Sequence, residues 1–362
     1  MAAYTTIDNP ELYFQTQNYT GNDTAIGSGG NAITFDGSED MAPDLVYLKS
    51  RGDGQLGHQY DSVRGVTKNL YENVNATENT VTEGLTTFGS DGFTLGDAEN
   101  INSDSATNNI KFFRSKSWKA GTTSGLATDG NTTITPGSYS FSQTAGISIL
   151  KYTGNGTSGA LVAHGLGAVP HLIIVKELSD TDDWHIYHHK NTAAPETDIL
   201  VRNETAATVD SASFWNDTAP GSVNFTLGDD DGVNESGDSL VAFCWTEIQG
   251  YSKFGQYEGN GNADGTFVWT GFRPAYIMTK SIDSTSDWQY YDHKGEGYNP
   301  ANYHLKANSQ ALIEQTGVTL DMYSNGFKMR TSSDPNVAET YVYVAFANQP
   351  FVNSNGVPCT AR

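Results

Sequence analysis

The chain predicts an all-β protein made of tandem antiparallel β-sandwich domains of jelly-roll or lectin-like type. Three observations carry that prediction. Gly supplies 38 residues, Thr, Ser and Asn abound, and only 17% of residues are charged, a usage that favours turns and extended chain over helix. Aromatic residues recur with a period of two, as in Tyr341-Val342-Tyr343-Val344, and no stretch keeps a 3.6-residue period. One series of short motifs occurs three times, about 105 to 130 residues apart, which is the spacing of repeated domains and not of solenoid turns.

Each copy opens with a turn: Tyr19-Thr20-Gly21-Asn22, Tyr152-Thr153-Gly154-Asn155-Gly156 and Tyr257-Glu258-Gly259-Asn260-Gly261. Gly and Asn tolerate the backbone angles that tight turns need. A proline-led apolar strand ending in lysine comes next, at 43–49, 170–176 and 274–280. An aromatic strand follows at 58–61, 184–188 and 288–292, then a Gly-Phe or Phe-Thr strand at 91–96, 224–228 and 325–329. An aromatic-rich strand closes each unit, at 110–118, 240–245 and 341–346. One helical turn is expected at 308–315. The organisation read from these signals is an N-terminal segment (1–35), a divergent β-repeat (36–121) and a Thr/Gly/Ser-rich connection (122–147) with a strand near Tyr139-Ser140-Phe141. Two β-sandwich repeats (148–248 and 249–351) and a tail (352–362) complete it. Units of about 100 residues are long enough for each to close its own core.

Composition excludes several functions. The formal net charge of -22, from 42 acidic and 20 basic residues, repels phosphate backbones and anionic membranes, so nucleic-acid binding and membrane insertion are not expected. No run approaches the roughly 18 apolar residues of a membrane span. The chain after Met1 is polar, without the apolar core of a signal peptide, so synthesis in the cytoplasm is expected. Cys244 lies in an apolar run and reads as a core thiol, and Cys359 sits in the polar tail; two cysteines make no disulfide framework.

Few residue patterns suggest chemistry. His185, His188 and His189 look like metal ligands, but on a strand His185 and His189 stand about 13 Å apart and His188 points the other way. The acidic run at 227–238 departs from a calcium-loop pattern at its first and last positions, leaving a looser calcium set of Asp229, Asp231 and Glu235. Asp61 and Asp292 recur at equivalent places, which assigns them to the fold. There is no nucleophile elbow, and Gly154-Asn155-Gly156 has no helix after it to hold a phosphate. No catalytic residue or cofactor is expected. Trp184, Trp269 and Trp288 could stack on sugars, but Trp184 and Trp288 recur and read as core. Trp215, in an acidic turn without counterparts, is the candidate exposed contact. The first closing strand is unusually basic (Lys111, Arg114, Lys116, Lys119), which marks a contact face for an acidic neighbour.

The blocks GYSKFGQYEGNG (250–261) and GTFVWTGFRPAYIMTKS (265–281) resemble a repeat domain of structural proteins of tailed, particularly marine, bacteriophages. So do KYTGNGTSGALVAHGLGAVPHLIIVK (151–176), NPELYFQTQNYTGN (9–22) and SDGFTLG (90–96), and the resemblance covers nearly the whole chain. It implies a non-enzymatic virion protein, tail-associated or fibre-like, that meets other virion proteins and a host-surface glycan. A homotrimer is likewise implied only by the resemblance. Two rivals stay open: a capsid decoration or connector protein that binds only virion subunits, and a polysaccharide-cleaving enzyme.

Overall fold

The computed structural model describes residues 3–52, 54–105, 111–310 and 314–360. It is all-β with several antiparallel sheets, and the three sequence repeats share one strand plan. In each, an opening strand (Phe14–Thr20, Ile147–Thr153, Ser252–Glu258) pairs with the closing strand (Phe112–Trp118, Ser239–Trp245, Thr340–Pro350). The closing strand pairs in turn with the proline-led strand (Leu45–Ser50, Leu172–Glu177, Phe272–Ser281). The aromatic strand (His58–Asp61, Trp184–His188, Gln289–Asp292) and a fourth strand (Lys68–Tyr71, Asp198–Val201, Ala301–Lys306) complete this main sheet. A short outer strand (Asn31–Ile33, Ala160–Ala163, Phe267–Trp269) pairs with the Gly-Phe strand (Phe93–Leu95, Asn224–Leu227, Gly326–Met329) and covers one face. In repeat three the strand Glu314–Tyr323 links the two layers into one eight-stranded, nearly barrel-shaped sheet. The opening strand of repeat one thus lies inside the segment that the sequence set apart as N-terminal.

The closing strands show why the sheets stay together. In Leu240-Val241-Ala242-Phe243-Cys244-Trp245, alternate residues enter two different cores. Leu240, Ala242 and Cys244 face the sandwich core of repeat two, and Val241, Phe243 and Trp245 face a larger core that draws on all three repeats. Tyr341, Tyr343 and Ala345 divide from Val342, Val344 and Phe346 in the same way. A strand covered on both faces reads as a continuous apolar run, whereas a half-exposed strand alternates with polar residues. The expectation that each unit closes its own core is therefore half right. Every repeat has a private core, and every main sheet also gives its other face to the shared one.

The recurring Tyr-x-Gly-Asn motif is a latch. The Tyr19, Tyr152 and Tyr257 hydroxyls donate to the Ile101, Val233 and Pro335 carbonyls at 2.9, 2.7 and 2.7 Å. The next residues, Asn102, Asn234 and Asn336, are fully buried. Their side-chain carbonyls accept the backbone N–H of Asn22, Asn155 and Asn260, and their amides donate to Gly96, Gly228 and Thr331 carbonyls. The motif needs glycine because the two segments touch: a Cβ on Gly154 would lie 2.1 Å from the Glu235 carbonyl oxygen. These asparagines have a sequence signal that goes unnoticed without the fold, an Asn shortly before each closing strand.

The helical turn expected at 308–315 does not form where the chain is described. Ala307 and Asn308 make a turn, a strand begins at Glu314, and 311–313 lie outside the described residues. Ile110, the first residue of the expected closing strand 110–118, also lies outside them; the strand runs Phe112–Trp118. Cys244 and Cys359 are both free thiols, Cys244 fully buried.

Candidate functional site

Several polar side chains singled out in the sequence are used at the joints between repeats. Arg114 and Lys116 share the parity of Trp118 and so face the shared core, where repeats two and three place valine and phenylalanine. Both are buried, which corrects their reading as a surface contact. Their acidic neighbours lie in the same chain. Arg114 pairs with Asp292 of repeat three at 2.5 Å. Lys116 comes within 3.9 Å of Glu72 and holds its ammonium over the Tyr290 ring at 3.7 Å. Lys111 is only half-buried, its ammonium lying over the Phe112 ring. Asp61, the counterpart of Asp292, pairs instead within its own repeat, with Arg64 at 2.5 Å.

Glu72 and Arg202 occupy equivalent positions of repeats one and two, each donating its backbone N–H to the residue that opens the aromatic strand region (Gly57 and Trp184). They meet across the joint at 2.7 Å, and Arg202 also donates to the Tyr47 hydroxyl at 3.0 Å. One carboxylate therefore serves three cations, with Lys49 at 3.7 Å as the third. Burial alone would raise the Glu72 carboxyl, but Lys116, Arg202 and Lys49 outweigh it and hold it below its usual range. Burial dominates at Lys116, where a shared carboxylate compensates incompletely, and lowers it to about 7. Such a cluster costs desolvation and defines which sheets may meet.

Two tryptophans complete the joints. The Trp184 Nε1 donates to the Tyr71 carbonyl of repeat one at 3.0 Å, and the Trp288 Nε1 donates to the Val201 carbonyl of repeat two at 2.8 Å. Repeats two and three thus each reach the fourth strand of the one before. Trp215, expected at the surface, is 2% exposed in the core of repeat two, brought there by a short helix (Ala212–Trp215). A single turn of helix in an acidic loop has too few residues to show a period, which is why the sequence misplaces it.

His185 stands apart from the other two, but His188 and His189 do not take opposite faces: the strand ends at His188, and their ring centroids lie 5.7 Å apart. His188 Nε2 bonds the Tyr343 carbonyl at 3.2 Å and His189 Nε2 the Phe254 carbonyl at 2.6 Å, both across the joint to repeat three. Burial lowers them to about 3 and about 4. His185 Nε2 instead faces Asp182 at 3.0 Å, with Asp230 close by, and ligand atoms of these three lie within 4.8 Å of one another. Among the described residues Asp229, Asp231 and Glu235 form no such group. Asp231 and Glu235 do approach, and the carboxyl–carboxyl contact raises Glu235. Asp182, His185 and Asp230 have the donor set of a divalent-cation site, but the Asp182–His185 hydrogen bond already satisfies the Nε2.

One surface combines exposed aromatic groups with a concavity. Phe267 and Trp269 of the outer strand of repeat three are each 45% exposed, with buried Val268 between them. They flank a cleft of about 730 Å³ that runs to the opening strand at Phe254-Gly255-Gln256-Tyr257, with Tyr343 among its lining residues. His189, Lys190, Glu247 and Lys253 add polar groups. The Glu247 carboxylate is held, accepting the Phe254 N–H at 2.9 Å. Of the tryptophans weighed as sugar contacts, Trp269 is the exposed one; Trp184 and Trp288 are buried.

The chain matches the family described as a domain of unknown function (DUF7483) over residues 9–350, and it belongs to that family. No curated protein and no solved structure matches it.

Proposed function

We propose that this DUF7483 chain is a non-enzymatic structural protein of a bacteriophage particle, a tail-associated or fibre-like component that makes its outward contact through the cleft of repeat three. One observation carries the contact site: the exposed aromatic pair Phe267 and Trp269 stands over a concavity with both polar and apolar walls. Aromatic faces beside hydrogen-bonding groups suit a host-surface glycan or a protein segment. The buried ion pairs Glu72–Arg202 and Arg114–Asp292 support a non-catalytic role, since they hold joints and do not line that cleft. The phage assignment is supported by the resemblance of the 250–281 and 151–176 blocks to virion repeat domains. A connector that binds only other virion proteins is the second reading, favoured by the unpaired outer edge of the Phe267–Trp269 strand.

Two measurements test the proposal. Mass spectrometry of purified phage particles should find the chain as a virion component, and absence from particles ends the structural reading. Purified chain on a glycan array should show binding at micromolar concentration, weakened at least tenfold by Trp269→Ala. No glycan binding in that range leaves the connector reading. Light scattering should return the mass of a trimer.

A further inference from the structure

The three repeats differ in how they close the gap between opening strand and outer strand. In repeat two the connection before it fills the gap. Ser138–Ser142 pairs along the opening strand, and Thr133 and Ile134 pair along the outer strand. The Ile134 N–H donates to the Leu161 carbonyl at 2.9 Å, the Ala163 N–H donates to the Ile134 carbonyl, and the Leu161 N–H donates to the Thr133 hydroxyl at 2.7 Å. The Ile134 side chain joins the repeat-two core. In repeat one the Gln15 amide donates to the Glu39 carbonyl and the Gln17 side chain accepts the Asp36 N–H, tying a local segment across the opening strand.

In repeat three Tyr4 and Thr5 bridge only one end of the gap, the Tyr4 hydroxyl donating to the Gly271 carbonyl and the Thr5 hydroxyl to the Gln249 carbonyl, each at 2.8 Å. Among the described residues no segment pairs along the outward edge of Phe267–Trp269. Register places Phe267 and Trp269 where Leu161 and Ala163 stand, since Val268 opposes Phe327 as Val162 opposes Phe225. The Thr266 carbonyl and the Thr270 N–H bond to the Gly-Phe strand side, through Met329 and Asn325. Antiparallel alternation then turns the backbone groups of Phe267 and Trp269 outward, toward the cleft. Both strands that border the cleft are the terminal strands of their sheet.

We propose that this cleft is an acceptor for an extended strand of a different protein, which pairs along Phe267–Trp269 as residues 133 and 134 pair along Ala160–Ala163 and lays an apolar side chain toward Tyr343. A main-chain ladder supplies affinity in such strand addition, and the side-chain pocket supplies register. The donor is assigned to another protein because the chain's own bridging segment is already consumed in repeat two. Its flanks are acidic: Lys190 and Lys253 line the cleft, and among the described residues neither is in an ion pair, although the chain as a whole is strongly acidic. This inference stands on the comparison of the repeats within one chain, so failure of the virion reading leaves it intact.

The test uses the intact chain and a synthetic peptide copying residues 129–137, which carries Asp129 ahead of the Thr133-Ile134 pair. Peptide at up to 1 mM should bind saturably by fluorescence anisotropy and slow amide hydrogen exchange at Phe267 and Trp269 at least fivefold. Phe267→Pro should abolish both effects, because proline removes an outward donor without touching the ladder. Unchanged near-ultraviolet circular dichroism shows that this variant is folded; the wild-type exchange result decides the matter by itself if it is not. No protection at those two amides overturns the proposal. Protection that grows with protein concentration in the absence of peptide assigns the cleft to a second copy and overturns the assigned donor. Protection by chito-oligosaccharide but not by peptide overturns strand binding in favour of a glycan.

Discussion

The corners within repeats and the joints between repeats use buried polar groups in opposite ways. At the corners the groups are neutral and stay within one repeat. Tyr152 and Asn234 tie the opening strand's turn to the segment before the closing strand of the same repeat, and the same bonds recur in the other two repeats. At the joints the groups bridge different repeats, as charged pairs in two joints and a neutral histidine in the third, so each joint has its own chemistry. Repeats one and two meet through Glu72 and Arg202, one and three through Arg114 and Asp292, two and three through His188 and the Tyr343 carbonyl. Identical corners let one sequence plan fold three times. Unlike joints let each pair of repeats meet in one way, because a buried polar or charged group without its partner is costly.

The largest effect should come from breaking a joint. Asp292→Asn leaves the Arg114 guanidinium buried without a counter-ion, and should destabilise the chain by about 3–5 kcal/mol in denaturant unfolding. A corner should be nearly as sensitive: Asn234→Ala orphans the Asn155 N–H and the Gly228 and Thr157 carbonyls, for a loss of about 3 kcal/mol. If Asn102→Ala and Asn336→Ala cost sharply different amounts from Asn234→Ala, the corners are not equivalent and the comparison fails.

Acid should act on a joint and spare the corners. Burial, and then the neighbouring His189, hold His188 neutral, with its Nδ1 accepting the Lys190 N–H and its Nε2 donating to the Tyr343 carbonyl. Its folded value of about 3 lies below the unfolded value of about 6.5, so over that window the unfolded chain binds more protons. Stability is therefore full above pH 6.5 and falls as pH drops toward 3. His188→Gln should flatten that part of the pH profile. The smallest effect at neutral pH belongs to Lys116→Met. Lys116 titrates at about 7 when folded and near 10.5 when unfolded, so wild-type stability rises from pH 7 to 10. The methionine variant should lose that rise while changing stability at pH 7 by no more than about 1 kcal/mol.

The strands were legible because their residue choices are local. Proline-led runs ending in Lys176 and Lys280, and turns at Gly154 and Gly259, mark strand and corner without any knowledge of neighbours. The repeat plan followed from their order. The joints were not legible, since a basic strand such as Phe112–Trp118 looks like a solvated face until Asp292, far along the chain, is brought to it. Trp215 was misplaced for the same reason: its burial depends on a helical turn too short to carry a pattern. Trp269, by contrast, lay in a block whose turn glycines were legible, but its exposure depends on a gap that repeats one and two fill from within the chain and that stays open along Phe267–Trp269.

The central claim is that the three repeats are one cooperative unit, because the largest apolar core belongs to none of them alone. The direct measurement compares unfolding of the whole chain with that of residues 249–351 in isolation, followed by tryptophan fluorescence and far-ultraviolet circular dichroism. The account predicts a single coincident transition for the whole chain and no cooperative transition for the isolated repeat, whose shared-core face would be stripped to solvent. An isolated repeat that unfolds cooperatively at the same midpoint as the whole chain would contradict it.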